Sequence, residues 1–317
     1  MDLSLIIPCY NEEGNVQKLF EECEKVFCAE GISCEYVFVN DGSDDNTKAV
    51  LKKLWNENDA KNITVVNFSR NFGKEAAIYA GLKNSVGENT CIIDADLQQQ
   101  PSVALKMYKL LTANNALDCV CAYQNKRSEG KMISAAKSVF YKIMNSAAET
   151  SFKNGASDFR VFNSKVKSAL LSLGEYHRFS KGLFSWVGFN VEYIEYEADK
   201  RNAGKSKWSL WKLLRYGISG MLDFSTAPLK IATVIGSLAT VFSMVYFIVT
   251  IIRKLTYNIT VDGFTQIVIL ITFFSGVLLF TVGIIGEYIA RIYQQVKNRP
   301  VYIVDEILKR EDGEEIR

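Results

Sequence analysis

The stretch Asn89–Ser102, NTCIIDADLQQQPS, ends an apolar run in two aspartates separated by one alanine, with a glutamine two positions further on. Cys91, Ile92 and Ile93 read as the inside of a buried strand, and Asp94 and Asp96 come where that strand leaves the core. Residues two apart on a strand point the same way, so this pair is expected to present two carboxylates to one ligand. Carboxylates that close repel each other. A hard divalent cation such as Mg2+ or Mn2+, which takes oxygen ligands and usually shares them with a diphosphate, relieves the repulsion, and Gln98 can add an amide oxygen. The plainer alternative is that one aspartate caps the following helix while the other is solvated.

The pattern around this stretch repeats its grammar. Apolar, β-branched runs at Leu3–Pro8, Glu35–Asp41, Ile63–Ser69, Thr90–Asp96 and Leu117–Tyr123 alternate with helical patterns such as Glu13–Phe27 and Gly73–Gly87. That alternation predicts a mainly parallel α/β sheet from Met1 to about Lys207. Ligands of such sheets bind beyond the carboxyl ends of the strands. Four of those ends carry polar clusters: Pro8–Glu13, Asn40–Thr47, Ser69–Glu75 and Asp94–Gln98. Taken alone, Asp41–Thr47 (DGSDDNT) is ordinary turn and capping chemistry. No G-x-G-x-x-G follows any strand, so the dinucleotide fingerprint is absent.

Composition narrows the classes. A chain of 317 residues that is 48% hydrophobic and 23% charged can bury a sizeable core. Its net charge is only +2, with no basic stripe interleaved with aromatics, so nucleic acid is not an expected partner. The seven cysteines (Cys9, Cys23, Cys28, Cys34, Cys91, Cys119, Cys121) form no C-x-x-C and read as reduced thiols of a cytosolic domain. A single histidine, His177, leaves little room for a histidine-rich metal site or a Ser/His/Asp hydrolase. The first residues lack a basic n-region, an apolar core and a cleavage site, so no signal peptide is expected.

The last third differs. Ile231–Ile252 holds 22 residues without a charge and Gly263–Gly286 another 24. As helices they reach about 33–36 Å, enough for a hydrocarbon core of about 30 Å. Lys205, Lys207, Lys212, Arg215 and Lys230 precede the first span, and Arg291, Lys297 and Arg299 follow the second. Only Arg253 and Lys254 lie in the connection, so both termini are expected in the cytoplasm and the loop Arg253–Asp262 outside. Trp208–Phe224 mixes Trp, Leu, Lys and Arg at helical spacing and suits an interfacial helix, with a helix packed on the soluble domain as the alternative. The tail Lys309–Arg317 is expected to be solvated or disordered. The resulting division is 1–207, a soluble domain; 208–228, an interfacial region; 229–290, a two-helix anchor; and 291–317, a cytoplasmic tail.

Eight segments, SLIIPCYNEEGN, VNDGSDDNT, SRNFGKEAA, DADLQ, SDFRVFN, RFSKGLFSWVGF, GKSKWSLWKL and GIIGEYIARIY, occur in an order and spacing that resemble the inverting family-2 glycosyltransferases of GT-A fold. The pattern is in particular similar to the membrane-anchored polyprenyl-phosphate members, which include bactoprenol glucosyltransferases and dolichol-phosphate mannose synthases. The resemblance covers about residues 3 to 304. It departs at DADLQDPPE, where Gln99 and Gln100 stand at the acidic and first proline positions.

The resemblance implies a Rossmann-like GT-A domain followed by two membrane helices. It implies a transfer with inversion from a nucleotide sugar, UDP-glucose favoured, to undecaprenyl phosphate, giving a lipid-linked sugar donor for cell-envelope glycosylation. Pro8, Tyr10, Glu12, Asp41 and Ser43 are expected at base and ribose, Arg70 and Lys74 at phosphate, with Asp94, Ala95 and Asp96 completing the nucleotide-sugar site. Asp94, Asp96 and Gln98 are the expected ligands of Mg2+ or Mn2+. Asp158 is the expected base or orienting carboxylate, a salt bridge to Arg160 being its alternative. Arg127, Arg178, Lys181, Arg201, Lys205 and Lys207 are candidates for gripping the lipid phosphate or the diphosphate, with a headgroup role as the alternative for each. A lipid phosphate is already an anion at neutral pH, so positioning and charge neutralisation carry the rate more than a strong base. A homo-oligomer, a tetramer included, and a lipid-linked sugar flippase are further implied partners. A processive polysaccharide synthase of this fold would carry Q-x-x-R-W and more spans, and neither is found here; a non-catalytic nucleotide-sugar sensor would be expected to lose one of the two aspartates.

Overall fold

The computed structural model describes residues 1–123, 156–197, 225–257, 263–311 and 314–315. In chain order the elements are β1 (Leu3–Cys9), α1 (Val16–Cys28), β2 (Cys34–Asn40), α2 (Thr47–Glu57), β3 (Asn62–Phe68), α3 (Lys74–Asn84), β4 (Asn89–Ile92), α4 (Pro101–Ala113) and β5 (Cys119–Tyr123). They continue as β6 (Ala156–Asn163), α5 (Ser164–Ser172), α6 (Ser180–Trp186), β7 (Val191–Glu195), α7 (Ala227–Tyr257), α8 (Phe264–Val296), β8 (Val304–Leu308), β9 (Arg310–Glu311) and β10 (Glu314–Glu315).

Eight strands form one sheet in the order β7-β5-β6-β4-β1-β2-β3-β8. The pairs β1/β2, β2/β3, β1/β4 and β5/β7 are parallel, while β6 runs against both β4 and β5, and β8 runs against β3. The expected mainly parallel α/β sheet is therefore found. Alternation along the strands feeds two core layers. Leu3, Leu5 and Ile7 of β1 pack with Leu19 and Phe27 of α1, Leu51 and Leu54 of α2 and Met107 of α4. Ile6, between them, turns to the opposite face with Ile78 and Leu82 of α3 and Phe162 of β6. Helices thus cover both faces, which is why the strands read as continuous apolar runs. Five of the seven cysteines are buried and all seven are free thiols.

Two expectations need correction. β4 ends at Ile92, so Asp94 and Asp96 lie in the loop beyond the strand and do not share its alternation. Residues 95–96 are in a turn, and Leu97 after them has φ +60°, an unusual backbone for a bulky residue. The tail, in turn, is not free at its start. β8 adds antiparallel to β3, and Arg310 donates to the carbonyls of Trp55 and Asn58 while its guanidinium lies 4.3 Å from the centre of the Trp55 ring. Ion pairs of Lys48 with Asp305 (2.6 Å) and Glu306 (3.7 Å), just before the tail, line the same seam.

α7 and α8 contain apolar stretches, Ala227–Arg253 and Gln266–Val296, of mean hydropathy 2.2 and 2.6, none of whose most apolar window is buried within the protein. They are long and apolar enough to cross a membrane. Both helices run past the C-terminal ends of the expected spans 231–252 and 263–286, and the last turn of α8 meets residues 174–177 between α5 and α6. The expected interfacial segment 208–224 lies outside the described residues.

The loops at the carboxyl ends of the parallel strands are packed against one another. Gly42 has φ +60°, and a Cβ there would sit 2.2 Å from the carbonyl carbon of Arg70 and 2.5 Å from the nitrogen of Asn71. Backbone atoms cannot move away as a flexible side chain would. Gly42→Ala is therefore expected to destabilise the chain by about 2–4 kcal/mol, seen as a fall in thermal midpoint of the detergent-solubilised protein; an unchanged midpoint would show that the two loops do not meet this closely.

Candidate active site

Each carboxyl end contributes a loop. Asp41, which follows β2, is buried, and its backbone N–H donates to the carbonyl of Cys9 at the end of β1 (2.9 Å). Its Oδ1 accepts from the N–H of Phe72 (2.7 Å) and its Oδ2 from the N–H of Gly73 (3.0 Å). Asp41 thereby ties three strand ends together, through its backbone and its carboxylate, and fixes the start of α3, where Lys74 is the first residue. Burial raises the Asp41 pKa to about 6, against the opposing pull of those two N–H groups and Arg70.

Lys74 is the centre of the site. Its Nζ lies 2.5 Å from Asp94 Oδ1 and 3.5 Å from Asp158 Oδ2. The reason is topological: Ile92 pairs with Arg160 in the antiparallel β4/β6 ladder, so continuing that register past the end of β4 sets residue 94 opposite residue 158. Because β6 runs backwards, its first residues arrive at the same edge as the last residues of the parallel strands. Burial is the largest influence on Lys74 and opposes its charge, but Asp94 and Asp158 outweigh it and the pKa is raised. At Asp158 burial likewise favours the neutral acid, and Lys74, Lys181 and Arg160 overcome it, so the carboxyl is held below its ordinary value and stays ionised at neutral pH. Asp158 Oδ1 is buried with no hydrogen-bond partner among the described residues.

Asp94 is gripped from a second side. Gln99, buried, accepts from the Asp94 N–H through Oε1 (2.8 Å) and donates through Nε2 to Asp94 Oδ2 (3.0 Å). Asp96 Oδ1 accepts from the Gln98 N–H (3.2 Å) in a tight turn, while Ala95 between the aspartates is buried. The donor-side residues are brought together as well. Ser43 Oγ donates to Asn40 Oδ1 (2.6 Å) and accepts from the N–H of Asn11 (3.0 Å); Tyr10 Oη donates to Asp44 Oδ2 (3.1 Å). Glu12 Oε2 accepts from Asn15 Nδ2 (2.7 Å), and Pro8 lies within β1. Arg70 is exposed, its guanidinium 4.1 Å from the centre of the Phe72 ring.

Two expectations do not hold as stated. Arg178 donates to the carbonyls of Leu173 (2.8 Å) and Leu170 (3.1 Å) at the end of α5 and lies 4.2 Å from the centre of the Tyr79 ring, which commits its guanidinium to the protein. The alternative pairing of Asp158 with Arg160 is not what the geometry shows. Arg160 is buried, donates to the carbonyl of Ser157 (2.6 Å) and sits 3.9 Å over the ring of Phe184, leaving Lys74 as the partner. Arg127, Arg201, Lys205 and Lys207 lie outside the described residues.

The sequence reading missed Gln99, Glu75 and Ser180. Glu75 stands beside Lys74, and its Oε2 accepts from the N–H of Ser180 (2.9 Å) and from the Ser180 hydroxyl. Burial, then the neighbouring Asp158 charge, raise its pKa to about 7. The sign follows from linkage. A carboxyl whose folded pKa exceeds its unfolded value contributes stability that is full below the unfolded value, about 4.3, and lost as pH rises through about 7. Glu75→Gln is accordingly expected to flatten the fall in stability between pH 4.5 and 7.5, measured by chemical unfolding across that range; an identical slope in both proteins would place the titration elsewhere.

Comparison with known proteins places the chain in a family. Residues 4–169 match glycosyl transferase family 2, and residues 227–292 match the GtrB C-terminal hairpin. CsbB of Bacillus subtilis is 40% identical over 304 residues, 96% of this chain and 91% of its own. The bactoprenol glucosyl transferase of Shigella phage SfII is 34% identical over 305 residues, 96% of this chain and 97% of that one. Among solved structures, glucosyl-3-phosphoglycerate synthase of Mycobacterium tuberculosis covers 70% of this chain and 76% of its own at 15% identity, with a TM-score of 0.49, too distant to bear on the site. The chain belongs to glycosyl transferase family 2, a glycosyltransferase whose catalytic domain is followed by a GtrB-type C-terminal hairpin.

Proposed function

We propose that the enzyme transfers glucose, with inversion, from UDP-glucose to undecaprenyl phosphate, and that the product serves as a lipid-linked donor for cell-envelope glycosylation. The observation that carries the reading is the Lys74 bridge between Asp94 and Asp158, set at the carboxyl edge of the sheet. A fixed cation flanked by an ionised carboxylate is what a reaction between two phosphate-bearing substrates needs at its centre. The acceptor follows from the bactoprenol-named relative, similar along almost its whole length, and from the two helices long and apolar enough to hold the enzyme where a polyprenyl tail lies.

The donor occupies the loops after β1, β2 and β3. Pro8, Tyr10, Glu12, Asp41 and Ser43 shape the nucleoside pocket, and Arg70 and Lys74 meet its phosphates. Asp158, kept ionised by Lys74, Lys181 and Arg160, orients the acceptor, whose phosphate Lys181 helps to neutralise. Asp94, Asp96 and Gln98 would hold Mg2+ or Mn2+. They fit in kind, since all three offer oxygen, and the cation would share Asp94 with Lys74 and Gln99, which hold its two oxygens. No group of three metal-binding acids, histidines or cysteines occurs among the described residues, so oxygens of the diphosphate would complete the set. When bound, the cation supplies charge neutralisation for the departing diphosphate. Both termini would lie in the cytoplasm, with residues 1–207 as the catalytic domain, and a homo-oligomer and a flippase remain as partners in this reading.

Asp94→Asn and Asp96→Asn are each expected to lower transfer at least a hundredfold while the thermal midpoint stays close to that of the parent, because charge rather than packing is removed; near-normal turnover in both would reject the metal assignment. For the topology, a cysteine placed at Asn258 in a chain lacking its exposed native Cys28 is expected to react with a membrane-impermeant maleimide added to intact cells. Reaction only after the membrane is opened would reverse the orientation.

A further inference from the structure

Two sets of contacts that the site above does not use run from the end of α8 and from β8 to opposite rims of the cleft. At one rim, Gln295 Nε2 donates to the carbonyl of Gly174 (2.9 Å), Gln295 Oε1 accepts from the N–H of Tyr176 (2.8 Å), and Gln294 Oε1 meets His177 Nε2. Ser180, which holds Glu75, comes a few residues further along the same segment, followed by Lys181, whose charge acts on Asp158. At the other rim the Ser69 N–H donates to the carbonyl of Ile303 (3.1 Å), and Tyr302 stacks on Phe68 with ring centres 4.8 Å apart.

From β8 a polar relay crosses the sheet. Glu306 Oε2 accepts from Asn67 Nδ2 (3.4 Å), Asn67 Oδ1 accepts from Asn40 Nδ2 (2.9 Å), and Asn40 Oδ1 accepts from the N–H of Ser43 (3.1 Å) and from its hydroxyl (2.6 Å). Ser43 Oγ then receives the N–H of Asn11 (3.0 Å). Asn40 and Asn67 are 2% and 1% exposed, so neither can replace a lost partner with bulk water. Removing the carboxylate leaves the Asn67 amide short of an acceptor and frees the Asn40 and Ser43 orientations that depend on it.

We propose that the end of α8 and the strand after it form a positioning element of the active site, clasping the donor loops through Glu306 and the acceptor-side segment 174–181 through Gln294 and Gln295. The membrane hairpin then sets the geometry of the cleft and does more than hold the enzyme at the bilayer. The assignment of the two rims rests on the function proposed above.

The test uses the full-length chain in lipid nanodiscs. Amide hydrogen exchange is read without substrate, and the KM values are read with UDP-glucose and undecaprenyl phosphate. In Glu306→Ala, exchange at Asn11 and Ser43 is expected to speed up about tenfold and KM for UDP-glucose to rise about tenfold, with the KM for undecaprenyl phosphate unchanged. Glu306→Gln, which keeps an acceptor, and Lys52→Ala, which removes only the 3.7 Å ion pair to Glu306, are expected to exchange like the parent. Gln294→Ala with Gln295→Ala should speed exchange at Tyr176 and Ser180 and raise the KM for undecaprenyl phosphate instead. Unchanged exchange at Ser43 in Glu306→Ala, or at Ser180 in the double variant, overturns the clasp, as does equal damage in Glu306→Gln and Glu306→Ala. A parent chain inactive with UDP-glucose would count against the proposed function, while the exchange data would still decide the clasp.

Discussion

The site depends on one cation between two carboxylates. The antiparallel pairing of β4 and β6 carries Asp94 and Asp158 to opposing positions, and without Lys74 their like charges would push apart the strand ends that bear them. Lys74 in turn owes its position to Asp41, which holds the N–H groups just before α3. The Lys74 side chain is 42% exposed, so solvent screens part of the attraction, and its value lies more in orientation than in stability. Because Asp158 stays ionised under this arrangement, the centre keeps an anion and a cation side by side at neutral pH.

Much of this was legible in the sequence where local chemistry decides structure. The runs at Leu3–Pro8, Glu35–Asp41 and Ile63–Ser69 became β1, β2 and β3 within a residue or two, since strands buried on both faces read as unbroken apolar stretches. The convergence of loops after β1, β2, β3 and β4 followed from the parallel order alone. What the sequence did not disclose depends on distant partners. The Lys74 bridge to Asp94 and Asp158 requires β6 to enter the sheet backwards, and nothing within Ala156–Asn163 announces which neighbours it takes. The Asp94 and Asp96 carboxylates were read as a matched pair on a strand, but β4 stops at Ile92 and Gln99 takes hold of Asp94 separately. Gln99 was visible as a departure from the family pattern, yet only coordinates show what its amide does.

The C-terminal segment shows the same limit. The tail Lys309–Arg317 read as solvated or disordered, whereas Arg310 donates to the carbonyl of Trp55, and just before it Asp305 and Glu306 of β8 meet Lys48 and Asn67. Edge strands are often charged to discourage aggregation, and here the same charges help to seat β8 on β3. The result is a catalytic domain entered by the chain before the apolar hairpin and rejoined after it, so that the two halves of the protein share a sheet.

The most direct test of the account is the identity and anomeric configuration of the product. Purified full-length enzyme, incubated with UDP-α-glucose, undecaprenyl phosphate and Mg2+ or Mn2+, should release UDP and yield a glucosyl phosphoryl lipid whose anomeric proton, read by NMR after extraction, reports the β configuration. An α-linked product, or free glucose with no lipid product, would contradict the proposed displacement by the lipid phosphate.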